Sequence, residues 1–257
     1  MSEWIYGRQV VRLALTVGAR RRAMRLAATA PAMHAVAPGL PPGLEREIVD
    51  GDALDALTGT REHQGVALEV PGYPYVNADQ LLAADLLVVL DEVSDPHNLG
   101  AVARSALAAG AAGLVVPRHR AAHVTPAAVK ASAGSLEHLP VAQVTNVVRF
   151  LQDAKREGFW VYGAAGEGAA GYTGLDLRDR AVLVFGAEGH GLRRLVARTC
   201  DALAAIPMRP PVESLNVSVA AALFLFEAVR QRGLVKDAAE AGDPGTGGHE
   251  PGGSGVR

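Results

Sequence analysis

The sequence predicts an α/β protein with a small N-terminal α/β unit and a larger C-terminal unit built on a parallel sheet. Three observations carry this. From about residue 85 to 233, apolar strand-like runs alternate with helical segments, the pattern of a parallel sheet with helices on its faces. The run "DLLVVLDEV" is apolar almost without a break, as expected of a strand buried on both sides. Before it, residues 71–84 ("PGYPYVNADQLLAA") place Pro71, Gly72 and Pro74 where they interrupt regular structure, and read as a linker.

The elements follow in order. "EWIYG" is a short structured element near the start. "GRQVVRLAL" spaces Val10, Val11, Leu13 and Leu15 as a helical stripe. Residues 52–59 ("DALDALTG") form a short helix ended by glycine, and "GVALEV" is a strand. The intervening "AATAPAMHAVAPGLPPG" is rich in Ala and Pro. In the second unit, "DLLVVLDEV" leads to a helix over about 98–109, strand "GLVVP", and a short helix near 125–132. Strand "PVAQVT", a helix over 146–157, and strands "FWVYGAA" and "RAVLVFG" come next. A turn and a short helix precede strand "ALAAIPM", which leads to a long helix over about 216–232. That helix is nearly all apolar from 220 to 229, so it is expected to be buried or to lie in a subunit contact, with Phe224 and Phe226 in that contact. Residues 234–257 are rich in glycine and poor in large apolar residues, and are expected to form a disordered tail.

At 257 residues and 49% hydrophobic, the chain can build one large or two smaller cores. A net charge of −2 neither requires nor excludes a nucleic-acid partner. Its distribution says more: residues 1–30 hold Arg8, Arg12, Arg20, Arg21, Arg22 and Arg25 against the one acid Glu3. That face either meets phosphate or reflects the arginine bias of a GC-rich genome. The single Cys200 rules out an internal disulfide, fits a reducing compartment and reads as a packed thiol. No apolar run reaches the ~18–20 residues of a membrane span. The arginine-rich start lacks the serine enrichment of a transit peptide, so a soluble cytoplasmic protein is expected, with no metal.

Three loops follow strands, where parallel α/β sheets bind ligands. In "DEVSDPHNLGAVAR", Asn98 is placed as an N-cap and Gly100 permits close approach to the first helical turn. Arg104 lies about 120° around the helix from Asn98, so the two can flank one cleft. Its apolar surround of Val102, Ala103, Ala106 and Leu107 needs a reason. In "FGAEGHGL" the glycine spacing G-x-x-G-x-G differs from a dinucleotide loop, and Glu188 suits a ligand bearing positive charge or hydroxyls. In "IPMRPPVESLNVSV", Pro210 and Pro211 stiffen the loop, and Ser214 or Asn216 is either a helix cap or a ligand group.

In this order the loops resemble the three motifs of the SpoU (TrmH) family of RNA ribose 2'-O-methyltransferases. N-x-G-x-x-x-R is Asn98, Gly100 and Arg104. G-x-E-x-x-G is Gly186, Glu188 and Gly191. S-L-N-V-S runs from Ser214 to Ser218. The resemblance covers residues 85–233. "SEWIYGRQVV" and "HQGVALEV" resemble the substrate-binding domain of the family branch that modifies a guanosine of 23S rRNA, a domain similar to the ribosomal protein L30e. The resemblance implies an RNA-binding domain over 1–70 and a SPOUT methyltransferase domain over 85–233 with a deep trefoil knot. It also implies a homodimer and S-adenosyl-L-methionine as methyl donor, held by backbone at Gly186, Ile206 and Leu215. The implied substrate is RNA, foremost a 23S rRNA guanosine, with a tRNA ribose or a resistance-type rRNA adenosine as alternatives. A non-catalytic RNA-binding assembly protein and a nucleotide-dependent oxidoreductase are the readings from other classes.

The catalytic set implied is Arg104, Asn98, Glu188, Ser214 and Asn216. Arg104 is the residue the family treats as activating the hydroxyl. With a pKa above ~12, arginine is a poor general base near neutrality. A bidentate grip on the adjacent phosphate that aligns the hydroxyl is the physically easier role.

Overall fold

The computed structural model describes residues 2–166, 170–187 and 189–233. Glu188 and the glycine-rich 234–257 lie outside the described residues. The N-terminal unit holds β1 (Ser2–Tyr6), α1 (Arg8–Ala14), β2 (Arg25–Ala28), α2 (Ala30–Val36), β3 (Glu45–Ile48), α3 (Gly51–Thr58) and β4 (Val66–Pro71). The strands order β1-β4-β2-β3, with β4 antiparallel to β1 and β2, and β2 parallel to β3. α1, α3 and β4 fall where hydrophobic spacing puts them. β2 and β3 do not announce themselves. "RLAA" lacks the β-branched and aromatic residues that favour strands, and "EREI" is an edge strand exposed at every position.

The second unit comprises β5 (Leu86–Asp91), α4 (Pro96–Ala108), β6 (Gly113–Pro117), α5 (Pro126–Ala131), β7 (Val141–Val144), α6 (Val147–Arg156) and β8 (Trp160–Ala164). It continues with β9 (Ala170–Gly171), β10 (Ala181–Gly186), α7 (Arg194–Thr199), β11 (Ala202–Ala205) and α8 (Val217–Gln231). Its seven strands order β7-β6-β5-β10-β8-β11-β9, and every pairing is parallel. All six residues of β5 are buried, as the unbroken apolar run requires. Leu86, Val88 and Leu90 share one core with α4, α5 and α8, whereas Leu87 and Val89 pack against Phe150, Leu151 and Val196 of α6 and α7.

The two units share a core. Ile5, Val10, Val11, Leu26 and Leu68 belong to the same buried cluster as Val102, Val129 and Phe185. The segment between the units is fastened along its length. The Tyr73 hydroxyl donates to Leu139 O at 2.7 Å, the Val124 amide donates to Tyr75 Oη at 2.8 Å, and Val76 forms a parallel bridge to Ala142, a residue of β7.

An ion cluster closes the junction. Arg21 donates through Nε to Glu137 Oε2 at 3.0 Å, through Nη2 to Glu137 Oε1 and through Nη1 to Glu3. Glu137 is completely buried. Burial alone would lower the Arg21 pKa, but the bonds and charges of Glu137 and Glu3 reverse this and hold it above the ordinary value. The basic face expected of residues 20–22 is thereby reduced, because Arg21 is consumed inside the fold.

α8 corrects the expectation for its two phenylalanines. Phe224 is buried, edge-on to Phe185 with centroids 5.5 Å apart, while Phe226 is 50% exposed. The inward stripe is Val217, Ala221, Phe224 and Ala228, and the outward one is Val219, Leu223 and Phe226. Helical spacing separates two residues two positions apart by about 200°, so both could not face one way.

Candidate active site

β5 and β10 are neighbours at the centre of the sheet, and the chain leaves them toward opposite edges. This is the topological switch point where a crevice opens beyond the carboxyl ends of strands. The loop after β5 leads into α4 and the loop after β10 carries the glycines. The loop after β11 leads into α8, which packs on both α4 and β10. The three loops singled out by composition therefore meet at one end of the sheet.

α4 starts earlier than the sequence suggests. Asp95 is its N-cap, accepting from the His97 amide at 2.9 Å, with Pro96 in the first turn where its missing N–H costs nothing. Asn98 is thus not the cap. It sits inside the first turn, buried, and its Oδ1 accepts from Asn216 Nδ2 at 2.9 Å. Asn216 is the cap of α8, its Oδ1 accepting from the Ser218 amide at 2.8 Å. One asparagine thus starts α8 and ties it to α4. Gly100 also has a different reason than expected. A Cβ there would lie 2.4 Å from Ala128 O and 2.6 Å from the Ala131 Cβ, so the close partner is α5 rather than a ligand.

The glycine loop folds back on β10. Gly191 N donates to Ala187 O at 2.9 Å, and a Cβ on Gly186 would lie 2.1 Å from the Gly191 carbonyl carbon. Only glycine at 186 allows that closure. Beside it opens a cleft of about 800 Å³, lined by Gly186, Ile206 and Leu215 together with Ser214 and Asn216. Phe185 and Phe224 form its floor, and His190, Met208 and Glu213, which were not anticipated, complete the wall. The size is that of a small-molecule site, with apolar walls and few polar groups.

Arg104 stands apart from this cleft. It is exposed on α4, about 9 Å along the axis from Asn98. Residues 100, 101, 107 and 108 are Gly, Ala, Leu and Ala, so no acid a turn away neutralises it. Among the described residues it has no ion-pair partner.

A second element missed in the sequence braces the glycine loop. Asp91, wholly buried at the end of β5, accepts from the Arg193 amide at 3.0 Å and from its Nε and Nη2 at 2.8 and 2.6 Å. The bonds to Asp91 hold the Arg193 pKa above its ordinary value, against burial. The pair fixes the residue just after the loop to the strand just before the Asn98 segment. Two residues 102 apart in sequence give no local sign of this pairing. Among the described residues, no group of three or more His, Cys, Asp or Glu side chains could hold a metal ion, and no helix is long and apolar enough to cross a membrane.

Comparison with known proteins adds the decisive observation. Residues 85–226 match the model of the SpoU rRNA methylase family, and residues 4–76 match that of the RNA 2'-O ribose methyltransferase substrate-binding domain. The chain belongs to the SpoU rRNA methylase family. This SpoU methylase is 46% identical over 201 residues to the 23S rRNA (guanosine-2'-O-)-methyltransferase RlmB of Xanthomonas campestris, covering 74% of this chain and 79% of that one. It is 47% identical over 185 residues to an uncharacterized tRNA/rRNA methyltransferase of Mycobacterium ulcerans, covering 70% of this chain and 60% of the relative. Its fold is similar to that of the SpoU methyltransferase AviRb of Streptomyces viridochromogenes, solved in complex with AdoMet. The TM-score is 0.76, with 28% identity and 90% of each chain covered.

Proposed function

We propose that this SpoU methylase transfers a methyl group from S-adenosyl-L-methionine to a ribose 2'-hydroxyl of structured RNA, foremost a guanosine of 23S rRNA. The observation that carries the reading is the Asn216–Asn98 hydrogen bond, which joins the first and third motif segments at the rim of a glycine-closed cleft. The cleft suits the donor: it has the volume of a small-molecule site, an apolar wall for a flat ring and a few polar groups at its mouth. Gly186, Ile206 and Leu215 would hold it. When bound, the donor supplies an electrophilic methyl group on a sulfonium.

The chain's own residues then have to place the acceptor. Asn98 and Asn216, fixed by each other, orient the ribose. Ser214 lines the cleft, and Glu188, which lies outside the described residues, is assigned the role of an acceptor for a hydroxyl. Arg104, exposed and without an acidic partner among the described residues, is suited to grip the neighbouring phosphate through two parallel N–H donors and align the 2'-oxygen. Such alignment to a near-attack geometry contributes several kcal/mol, and water or phosphate takes the proton.

The finer architecture belongs to the same proposal. We assign an L30e-like RNA-binding domain to residues 1–70, a linker to 71–84, and a deeply knotted methyltransferase domain to 85–233. The outward stripe of Val219, Leu223 and Phe226 supports a homodimer formed through α8. The cytoplasm, where ribosomal RNA resides, is the assigned location. Mapping of 2'-O-methylation after incubating the purified protein and donor with 23S rRNA and with tRNA tests the reading. One methylated guanosine in 23S rRNA is expected. A product only in tRNA would move the substrate, and no product in either would overturn the activity.

A further inference from the structure

The arginines concentrated at the N-terminus are only partly available to a polyanion. Arg21 is buried and paired with Glu137 and Glu3, and Arg25 is shared between Glu69 and Glu47. A different basic surface keeps its charge. It is the loop "RHRAAH", residues 118–123, between β6 and α5. Arg118, His119, Arg120 and His123 are all exposed, and among the described residues none of them pairs with an acid.

The loop is built to present these groups. Ala122 and Val124 turn inward and are buried. The Arg118 amide donates to Val144 O at 2.8 Å, the Ala122 amide to Val93 O at 2.8 Å and the Val124 amide to Tyr75 Oη at 2.8 Å. Three anchors therefore hold the backbone while the charged side chains project. The side-chain Nε2 of Gln143 donates to His123 Nδ1 at 2.7 Å, which leaves the proton of a neutral imidazole on Nε2 of the ring, as a donor. Arg120 has a φ of 58°, in the left-handed region. An L-residue there costs roughly 1–2 kcal/mol that glycine avoids. A strained arginine in an exposed position, with no ion-pair partner among the described residues, points to use of its side chain.

Position decides the use. β6 lies beside β5, and the Ala122–Val93 bond ties this loop to the segment that opens α4 and carries Asn98. The basic loop thus rims the same end of the sheet as the cleft. We propose that loop 118–123 is a separate RNA contact that grips phosphates flanking the nucleotide presented to the cleft. Two arginines and two imidazole donors match a phosphate backbone in charge and hydrogen bonding. The proposal rests on the RNA-methyltransferase reading above.

The test uses the full chain and a 23S rRNA transcript, with Arg118→Gln/Arg120→Gly as the variant. Glycine at 120 relieves the left-handed backbone, so a folding defect is not built into the experiment. The slope of log affinity against log salt is expected to fall by about 1.4–1.8, at about 0.7–0.9 per lost phosphate contact. KM for RNA should rise while kcat at saturating RNA and affinity for the donor stay at wild-type values. A variant with the wild-type salt slope and KM, against a wild type that binds and methylates the transcript, would overturn this assignment alone. A wild type that neither binds nor methylates RNA would overturn the activity on which it rests.

Discussion

Arg21→Met removes the cation from the junction and leaves two carboxylates behind. Glu137 is then a fully buried charge without its bidentate partner, and Glu3 is about a quarter exposed. Breaking a buried pair from one side costs about 3–5 kcal/mol, most of it the burden of the charge left behind. For a chain of this size, ~2–4 °C of Tm accompanies each kcal/mol, so the expected loss is roughly 6–20 °C. Removing both charges is different. In Arg21→Met/Glu137→Met the buried part of the junction becomes apolar, Glu3 keeps its access to solvent and the Tyr73 and Tyr75 anchors remain, so stability should return to within about 1–2 kcal/mol of wild type. Thermal unfolding of the wild type, both single variants and the double variant completes the cycle. A single variant that melts within ~2 °C of wild type, or a double variant as unstable as the sum of the singles, would refute the buried-charge argument. The same geometry bears on truncation. Deleting residues 1–70 strips Glu137 of its cation and uncovers the shared core, so Arg21→Met is the gentler probe of how the junction affects RNA binding.

Arg104→Ala is expected to abolish methyl transfer while keeping the fold and the donor affinity. Arg104→Lys should lose roughly 10²-fold at every pH if the planar fork aligns the phosphate, measured by single-turnover methylation across pH. A lysine variant whose rate climbs to wild type with rising pH would instead make this residue a proton acceptor. Phe226→Glu should yield a folded monomer by light scattering, whereas Phe224→Glu, buried against Phe185, should give insoluble protein; a soluble dimer from the first would reject the α8 contact. The Cys200 thiol is pushed up to about 12 by burial, with the charge of Asp201 adding. At pH 8 its alkylation should be roughly a hundred- to a thousand-fold slower than in the urea-unfolded chain, and equal rates would refute the placement. The sign for stability follows: below about pH 9 both states keep the proton. As pH rises further the unfolded chain loses it first, so Cys200 lowers stability between about 9 and 12. Tyr73 and Tyr75, both raised by burial first, act in the same direction.

Much of this molecule was legible because the information is local. An unbroken apolar run specifies a strand buried on both faces, and β5 and β10 obeyed it at every position except the partly exposed Gly186. Helical spacing placed α1, α6 and α8, and the capping asparagine at 216 marked where α8 begins. The three loops that meet at one end of the sheet stood out because glycine, proline and small polar residues after strands have few structural uses. What remained hidden depends on partners far away in the chain. Asn98 read as a cap because its neighbours permit that, but its use is set by Asn216, 118 residues later. Gly100 read as an opening for a ligand, until α5 filled the space. Arg21 read as part of a basic surface because the acid that neutralises it stands 116 residues away. Phe224 and Phe226 were equally apolar in sequence, and only the packing of α8 on Phe185 separated a core residue from an exposed one. Periodicity and capping are properties of residues within a turn or two of each other, so the sequence determines the strongly patterned elements, though not α2, β2 or β3, and nominates the loops. Which charge is paired, which glycine is crowded and which arginine stays exposed are set by contacts between segments far apart in the chain, and those exist only once the tertiary structure has formed.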